Sequence, residues 1–251
     1  MDETLLKPTY QWRSAAISDA GKVRSLNEDS LIERPDLALW AVADGMGGHH
    51  GGEVASRMVV EGLSQIQSPS KNLNNYINAV EDSLQSTNAV LRKMSEEKYS
   101  SRTIGSTVIC LIADHTHIAY LWAGDSRLYR LRRGQLTQLS TDHSEVQRLV
   151  DEGLIRPEDA EKHPSANVVT RAVGGHDVLA LQLGLDTVKD NDVFLLCSDG
   201  LYRDLSHEEI ENVLNQHQGV QDKCDALLGL ALSRRGADNI SLIVTRVEKN
   251  N

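Results

Sequence analysis

Four aspartates occupy equivalent places in this 251-residue chain. Asp44 follows the run Leu39-Trp40-Ala41-Val42-Ala43, and Asp125 follows Ile118-Ala119-Tyr120-Leu121-Trp122-Ala123-Gly124. Asp199 follows Val193-Phe194-Leu195-Leu196-Cys197-Ser198, and Asp238 precedes Asn239-Ile240-Ser241-Leu242-Ile243-Val244. Each apolar run has the length and composition of a buried strand, so each acid stands at the rim of a hydrophobic core. A carboxylate withdrawn from water takes up a proton or finds a cation. Asp-Gly pairs also favour turns, and Asp44-Gly45 or Asp199-Gly200 taken singly reads as one; four acids so placed do not. Lysine and arginine are not set beside all of them. Arg127 follows Asp125 closely, but one cation cannot serve four sites. An all-oxygen donor set suits Mg²⁺ or Mn²⁺ better than zinc, which prefers Cys and His.

A further acidic element lies near the start, in Gly21-Lys22-Val23-Arg24-Ser25-Leu26-Asn27-Glu28-Asp29. An arginine binds a phosphate through two parallel hydrogen bonds, while a neighbouring Glu or Asp supports a metal. The histidine pairs His49-His50 and His115-x-His117 have no companion Cys and no H-E-x-x-H spacing, so they read as surface or loop residues. Of the three cysteines, Cys110 and Cys197 sit inside apolar runs and read as reduced core thiols; Cys224 completes the set, and no C-x-x-C occurs.

The elements that must position these residues follow from periodicity. Strands are expected over residues 14–17, 37–43, 107–113, 118–123, 128–131, 192–197 and 240–247. Amphipathic helices are expected over 52–67, 73–95 and 221–234, and a further one over 208–216 begins after Ser206 with a glutamate three residues later. Strands, two helices, more strands, helices and a last strand do not make a regular βαβ alternation. The order predicts an α+β layered sandwich of mainly antiparallel sheets with helices packed outside. Residues 140–175 are polar and irregular apart from a short helical stretch near 145–152, and read as an excursion from the core.

The chain is long enough for one large domain. Hydrophobic residues at 40 % and charged residues at 25 % are ordinary for a folded soluble protein; aromatic residues at 4 % require an aliphatic core. A formal net charge of −10 argues against nucleic-acid binding, which needs a basic surface. It also repels a phosphate dianion unless bound cations reverse the field locally. The N-terminus has neither a basic nor an apolar leader segment, and no apolar run approaches the ~18 residues of a membrane span. A cytoplasmic location is expected.

Taken in order, Arg24-x-x-Asn27-Glu28-Asp29, Asp44-Gly45-Met46-Gly47-Gly48, Gly124-Asp125-Ser126-Arg127, Ser198-Asp199-Gly200 and Asp238-Asn239-Ile240 form an ordered set. This set resembles the metal-dependent protein Ser/Thr phosphatases of the protein phosphatase 2C family, in their compact bacterial form, over nearly the whole chain. The resemblance implies a single catalytic domain over residues 1–251, built as a four-layer α-β-β-α sandwich of two mainly antiparallel sheets flanked by helices. Residues 140–175 correspond to the family's flap. The resemblance also implies a binuclear Mn²⁺ or Mg²⁺ centre that hydrolyses phosphoserine and phosphothreonine in proteins through a metal-bridging water attacking phosphorus. Asp44 then bridges the two ions with the Gly45 carbonyl as a further ligand, and Asp199 and Asp238 complete the first ion's shell. Glu28 serves the second ion, directly or through water, with Asp29 in or near that shell. Asp125 with Asp199 holds a third ion, and Arg24 clamps the substrate phosphate.

Animal members have a histidine directly after the Asp-Gly pair as a proposed general acid. Met46 stands there in this chain, which leaves His49 or a metal-bound water to protonate the leaving group. The implied partners are phosphorylated proteins and a cognate Ser/Thr kinase, with no nucleic acid and a monomeric state. Glu33-Arg34-Pro35 followed by Leu39-Trp40-Ala41-Val42-Ala43-Asp44 is similar to phosphatases of bacterial type VI secretion, which oppose a Ser/Thr kinase. A pseudophosphatase that binds phosphoproteins and another metallohydrolase, such as a nuclease or phosphodiesterase, are the alternatives.

Overall fold

A computed structural model describes residues 10–47, 50–67, 72–98 and 103–249. The apolar runs become strands that bury both faces. In β3 (Leu39–Met46), Leu39, Ala41 and Ala43 face one core while Trp40 and Val42 face another. In β5 (Val108–Ala113), Val108, Cys110 and Ile112 alternate in the same way with Ile109 and Leu111. The two-residue period of a strand sends neighbours to opposite faces, so an unbroken apolar run means a layer on each side.

Two sheets stack with helices outside them, the α+β four-layer sandwich expected. One sheet runs β2 (Asp29–Arg34), β3, β5, β6 (His117–Ala123), β9 (Gln182–Thr187), with the short β4 (Gly105–Ser106) beside β3. The other runs β1 (Tyr10–Asp19), β11 (Ile240–Lys249), β10 (Val193–Cys197), β7 (Arg127–Arg132), β8 (Gln135–Gln138). Every pairing between these named strands is antiparallel. Trp40, Ile109, Phe194, Leu196 and Ile243 fill the space between the sheets. Helix α1 (Gly51–Ser64) covers the first sheet with Ala55, Val59 and Leu63, one apolar stripe at four-residue spacing, together with α2 (Leu73–Lys98). On the other side α5 (His207–Gln216) and α6 (Val220–Ser233) cover the second sheet with Ile210, Leu214, Leu227 and Ala231. The expected cap of α5 is a full capping box between Ser206 and Glu209.

Five strands exceed or escape the sequence expectation. The strand placed at 14–17 runs over Tyr10–Asp19 because β11 pairs with it over its full length. Strands β2, β4, β8 and β9 were not expected. β2, β8 and β9 lie at sheet edges, β4 is two residues long, β9 carries exposed Leu183 and Leu185, and none has the continuous apolar run of a central strand. The irregular stretch at 140–175 holds α3 (Glu145–Asp151), N-capped by the Ser144 side chain, and a 3₁₀ turn over Pro157–Lys162. An isolated bridge closes the segment on itself at Ser144–Val169, and another ties it to the core at Ser106–Val173. No helix among the described residues is long and apolar enough to cross a membrane.

Candidate metal centre

The acids meet at one end of the sandwich because the strands that carry them end there. Asp29 and Asp44 are direct cross-strand partners in β2 and β3. The backbone of Asp44 is clamped: its N–H donates to Thr107 Oγ1 at 3.0 Å, and its carbonyl accepts from the Thr107 N–H at 2.8 Å and from Ser106 Oγ at 3.0 Å. Gly45 is needed next, since a Cβ there would lie 2.1 Å from the Gly52 carbonyl and 2.5 Å from that of Glu28. Asp199 opens the one-turn helix α4 (Asp199–Tyr202) directly after β10. Gly200 lets that turn press on the last strand, where a Cβ would lie 2.1 Å from the Asn239 carbonyl. Asp125 follows β6, and its carbonyl accepts from the Tyr202 hydroxyl at 3.0 Å.

Arg24, Glu28, Asp44, Gly45, Asp125, Asp199 and Asp238 line one cavity of about 610 Å³. Asp29 lies beneath it, 8 % exposed. Its Oδ2 accepts from Ser198 Oγ at 2.8 Å, while its Oδ1 is buried with no hydrogen-bond partner. Loss of solvation, then repulsion from Asp199 and Asp238, raises the Asp29 carboxyl to about 7 against the stabilising hydroxyls of Ser241 and Ser198. Asp44 is raised well above the carboxylate range by desolvation and then by the charges of Asp29, Asp199, Asp125 and Asp238. Asp125 is raised to about 7 by desolvation and by Asp199 and Asp142. Asp199 is raised by desolvation, with Arg203 opposing. Four buried acids whose ionised forms are disfavoured together make a site that gains most from a divalent cation.

Among the described residues no three His, Cys, Asp or Glu groups converge as a ready-made cage for one ion. That is compatible with Mg²⁺ or Mn²⁺, which keep several waters and take one or two carboxylates each. Two guanidinium groups meanwhile engage the acids. Arg24 Nη2 donates to Asp238 Oδ2 at 2.9 Å. Arg203 places Nε 2.9 Å from Asp199 Oδ2 and Nη2 3.5 Å from Asp125 Oδ2. The orphaned oxygen of Asp29 and the raised carboxyls fit a cation-binding role.

Arg127 does not neutralise Asp125; it binds Asp142 through Nε at 2.9 Å and Nη2 at 2.7 Å, and its guanidinium stacks 3.5 Å over the Tyr202 ring. Arg203 was missed, although its i,i+4 spacing from Asp199 was a usable signal. Asn239 was quoted in a motif but given no task. Its Oδ1 accepts from the Glu28 N–H at 2.8 Å, and its Nδ2 donates to the carbonyls of Ala20 and Leu26, so it ties the Arg24–Glu28 loop to β11. Arg24 reaches the cavity but pairs with an acid there. Cys110 and Cys197 are buried core thiols, each pushed up to about 12, chiefly by burial. Gly48 and His49 lie outside the described residues. His50, His115 and His117 are exposed.

Residues 22–228 match the family model for protein phosphatase 2C. The serine/threonine protein phosphatase PstP of Mycobacterium tuberculosis is 36 % identical over 243 residues, which cover 97 % of this chain. The chain spans 46 % of that relative's length. A solved structure described as PppA, a key regulatory component of T6SS in Pseudomonas aeruginosa, superposes with a TM-score of 0.87 at 41 % identity, covering 94 % of this chain and 97 % of that one. The catalytic domain of the phosphatase PstP in complex with two manganese ions superposes with a TM-score of 0.86 at 36 % identity, covering 96 % of this chain and 100 % of that one. The matched model takes in all of the acids gathered at the strand ends except Asp238, and the chain belongs to the protein phosphatase 2C family.

Proposed function

We propose that this chain is a protein phosphatase that hydrolyses phosphoserine and phosphothreonine with two Mn²⁺ or Mg²⁺ ions. The observation that carries the proposal is the gathering of Glu28, Asp44, Asp125, Asp199 and Asp238 around one cavity, with Asp29 beneath it. Asp44 has two carboxylate oxygens and would bridge both ions, with the Gly45 carbonyl beside it. Asp199 and Asp238 would complete one ion's shell; Glu28, supported by Asp29, would serve the other. Asp125 with Asp199 would hold a third. Bound there, the ions supply a low-pKa water and charge neutralisation for an in-line displacement.

The chain's own residues do the rest. Thr107 and Ser106 hold the Asp44 backbone, and Asn239 holds Glu28. Arg24, on an exposed loop at the cavity mouth where it pairs with Asp238, would bind the phosphoryl oxygens of the substrate. Residues 140–175 bring Asn167, Val168 and Val169 to the same cavity wall, which supports a flap role within one catalytic domain. The likeness to PstP supports action on phosphoproteins; a cognate Ser/Thr kinase as their source and a monomeric state complete the reading. Turnover of a phosphothreonine peptide with Mn²⁺, with Mg²⁺ and with chelator tests the proposal. Cation-dependent release of phosphate is expected, and equal turnover in chelator would contradict it.

A further inference from the structure

Arg203 joins the acid cluster to the segment at residues 140–175. Toward the core, Nε lies 2.9 Å from Asp199 Oδ2 and Nη2 lies 3.5 Å from Asp125 Oδ2. Toward the surface, Nη1 donates to Asn167 Oδ1 and Nη2 to the Ala166 carbonyl at 3.3 Å. Its position is set by local structure: α4 puts Arg203 one turn after Asp199, and the Tyr202 hydroxyl beside it fixes the Asp125 backbone. The acids are nearly out of water, with side chains 5 % and 13 % exposed, and the arginine side chain is 25 % exposed. One guanidinium thus serves a carboxylate pair that would otherwise call for an external cation. Beside it a second cavity, of about 660 Å³, is lined by Lys162, His163, Asn167 and Arg203 and offers the side chain room to move.

We propose that Arg203 is a tethered counter-cation at the Asp125–Asp199 pair. It holds the place of a third divalent cation, and that cation's entry displaces the guanidinium and frees Asn167 and Ala166. The inference rests on the proposed metal centre and adds a residue to it. A guanidinium and a hard divalent cation compete for the same carboxylate oxygens, and both cannot be fully engaged. The third ion therefore binds more weakly than the pair at Asp44. Its arrival also loosens residues 163–170, so cation loading regulates access over the cavity. Arg203 is a positioning residue in this scheme.

Two readouts test it without turnover. Calorimetric titration of Mn²⁺ into chelator-treated protein should show the weakest site tighten by about tenfold or more in Arg203→Ala, a change the size of one charge-assisted contact. Arg203→Gln, which keeps a hydrogen-bonding end but no charge, should do the same, guarding against a folding defect in the first variant. Adding Asp125→Ala to Arg203→Ala should remove the gain. Hydrogen exchange of residues 163–170 should quicken in the wild type when Mn²⁺ fills the weakest site, and should be fast and cation-independent in Arg203→Ala. A third site that is absent or unchanged in both arginine variants, or exchange indifferent to Mn²⁺ in the wild type, overturns the inference while two tight sites leave the metal centre standing. Failure to bind any Mn²⁺ overturns the metal centre, and this inference with it.

Discussion

The acid-bearing strand ends and the segment at residues 140–175 face each other across one cleft, and different forces hold them. Asp44 stands at the end of a strand whose preceding five residues are at most 1 % exposed, and its backbone groups are taken by Thr107 and Ser106. The segment opposite carries exposed Leu154 and Val168, at 65 % and 48 %. It is held largely by polar ties: Arg127 on Asp142, the His143 N–H on the Gly124 carbonyl at 2.9 Å, the Ser106–Val173 bridge, and Arg203 on Ala166 and Asn167. Ladders and apolar packing fix groups that must not move. A handful of hydrogen bonds and ion pairs, each individually modest in net worth, suits a wall that must adapt to a peptide.

Breaking the rigid side should cost activity with little loss of fold. Asp44→Asn removes one charge from a cluster of mutually repelling acids, so circular dichroism should be unchanged while Mn²⁺-dependent phosphopeptide turnover falls by about 10³-fold or more. Breaking the other side should do the reverse. Asp142→Ala leaves Arg127 unpaired where it is 21 % exposed, and should lower stability by about 3 kcal/mol in denaturant unfolding, with Mn²⁺ affinity retained.

The two sides also differ in their response to pH. In chelator, Asp29 and Asp125, each raised to about 7, keep protons in the folded state that the unfolded chain has released. Their contribution to stability therefore falls as pH rises from the ordinary carboxylate range through 7. The melting temperature in chelator should drop by about 5 °C or more between pH 5 and pH 8. Excess Mn²⁺ should abolish or reverse that slope, because cations bind the ionised carboxylates. A chelated protein whose stability rises over the window would show that these carboxyls are not raised.

Smaller effects sharpen the comparison. Arg24→Ala should raise KM for a phosphopeptide by about tenfold with a lesser change in kcat; an unchanged KM would remove Arg24 from the phosphate. Ser144→Ala deletes the cap of α3, where the serine Oγ accepts from the Gln147 N–H at 3.2 Å. It should cost about 1 kcal/mol of stability, with a change in local hydrogen exchange confined to the 140–175 segment.

The rigid side was far more legible in the sequence. An apolar run that stops at an acid is a local pattern, and four such patterns located Asp44, Asp125, Asp199 and Asp238 without a partner needing to be known. Contacts that depend on distant chain segments left no such mark. Arg24 meets Asp238 across 214 positions, and Asn239 reaches Glu28 across 211. Arg127 looked like the neighbour of Asp125 by position, yet strand alternation turns it toward Asp142, while Arg203 approaches from another element. Edge strands β2 and β9 were invisible for local reasons: β2 has only Leu31 and Ile32 as apolar residues among its six, and β9 leaves Leu183 and Leu185 exposed, so neither shows a buried run.

The most direct test of the strand-end acids as a cation site is calorimetric titration of Mn²⁺ into chelator-treated wild type and Asp44→Asn. Two tight ions in the wild type, with that paired binding lost in the variant, is the expected result. Identical Mn²⁺ isotherms for the two proteins would contradict it.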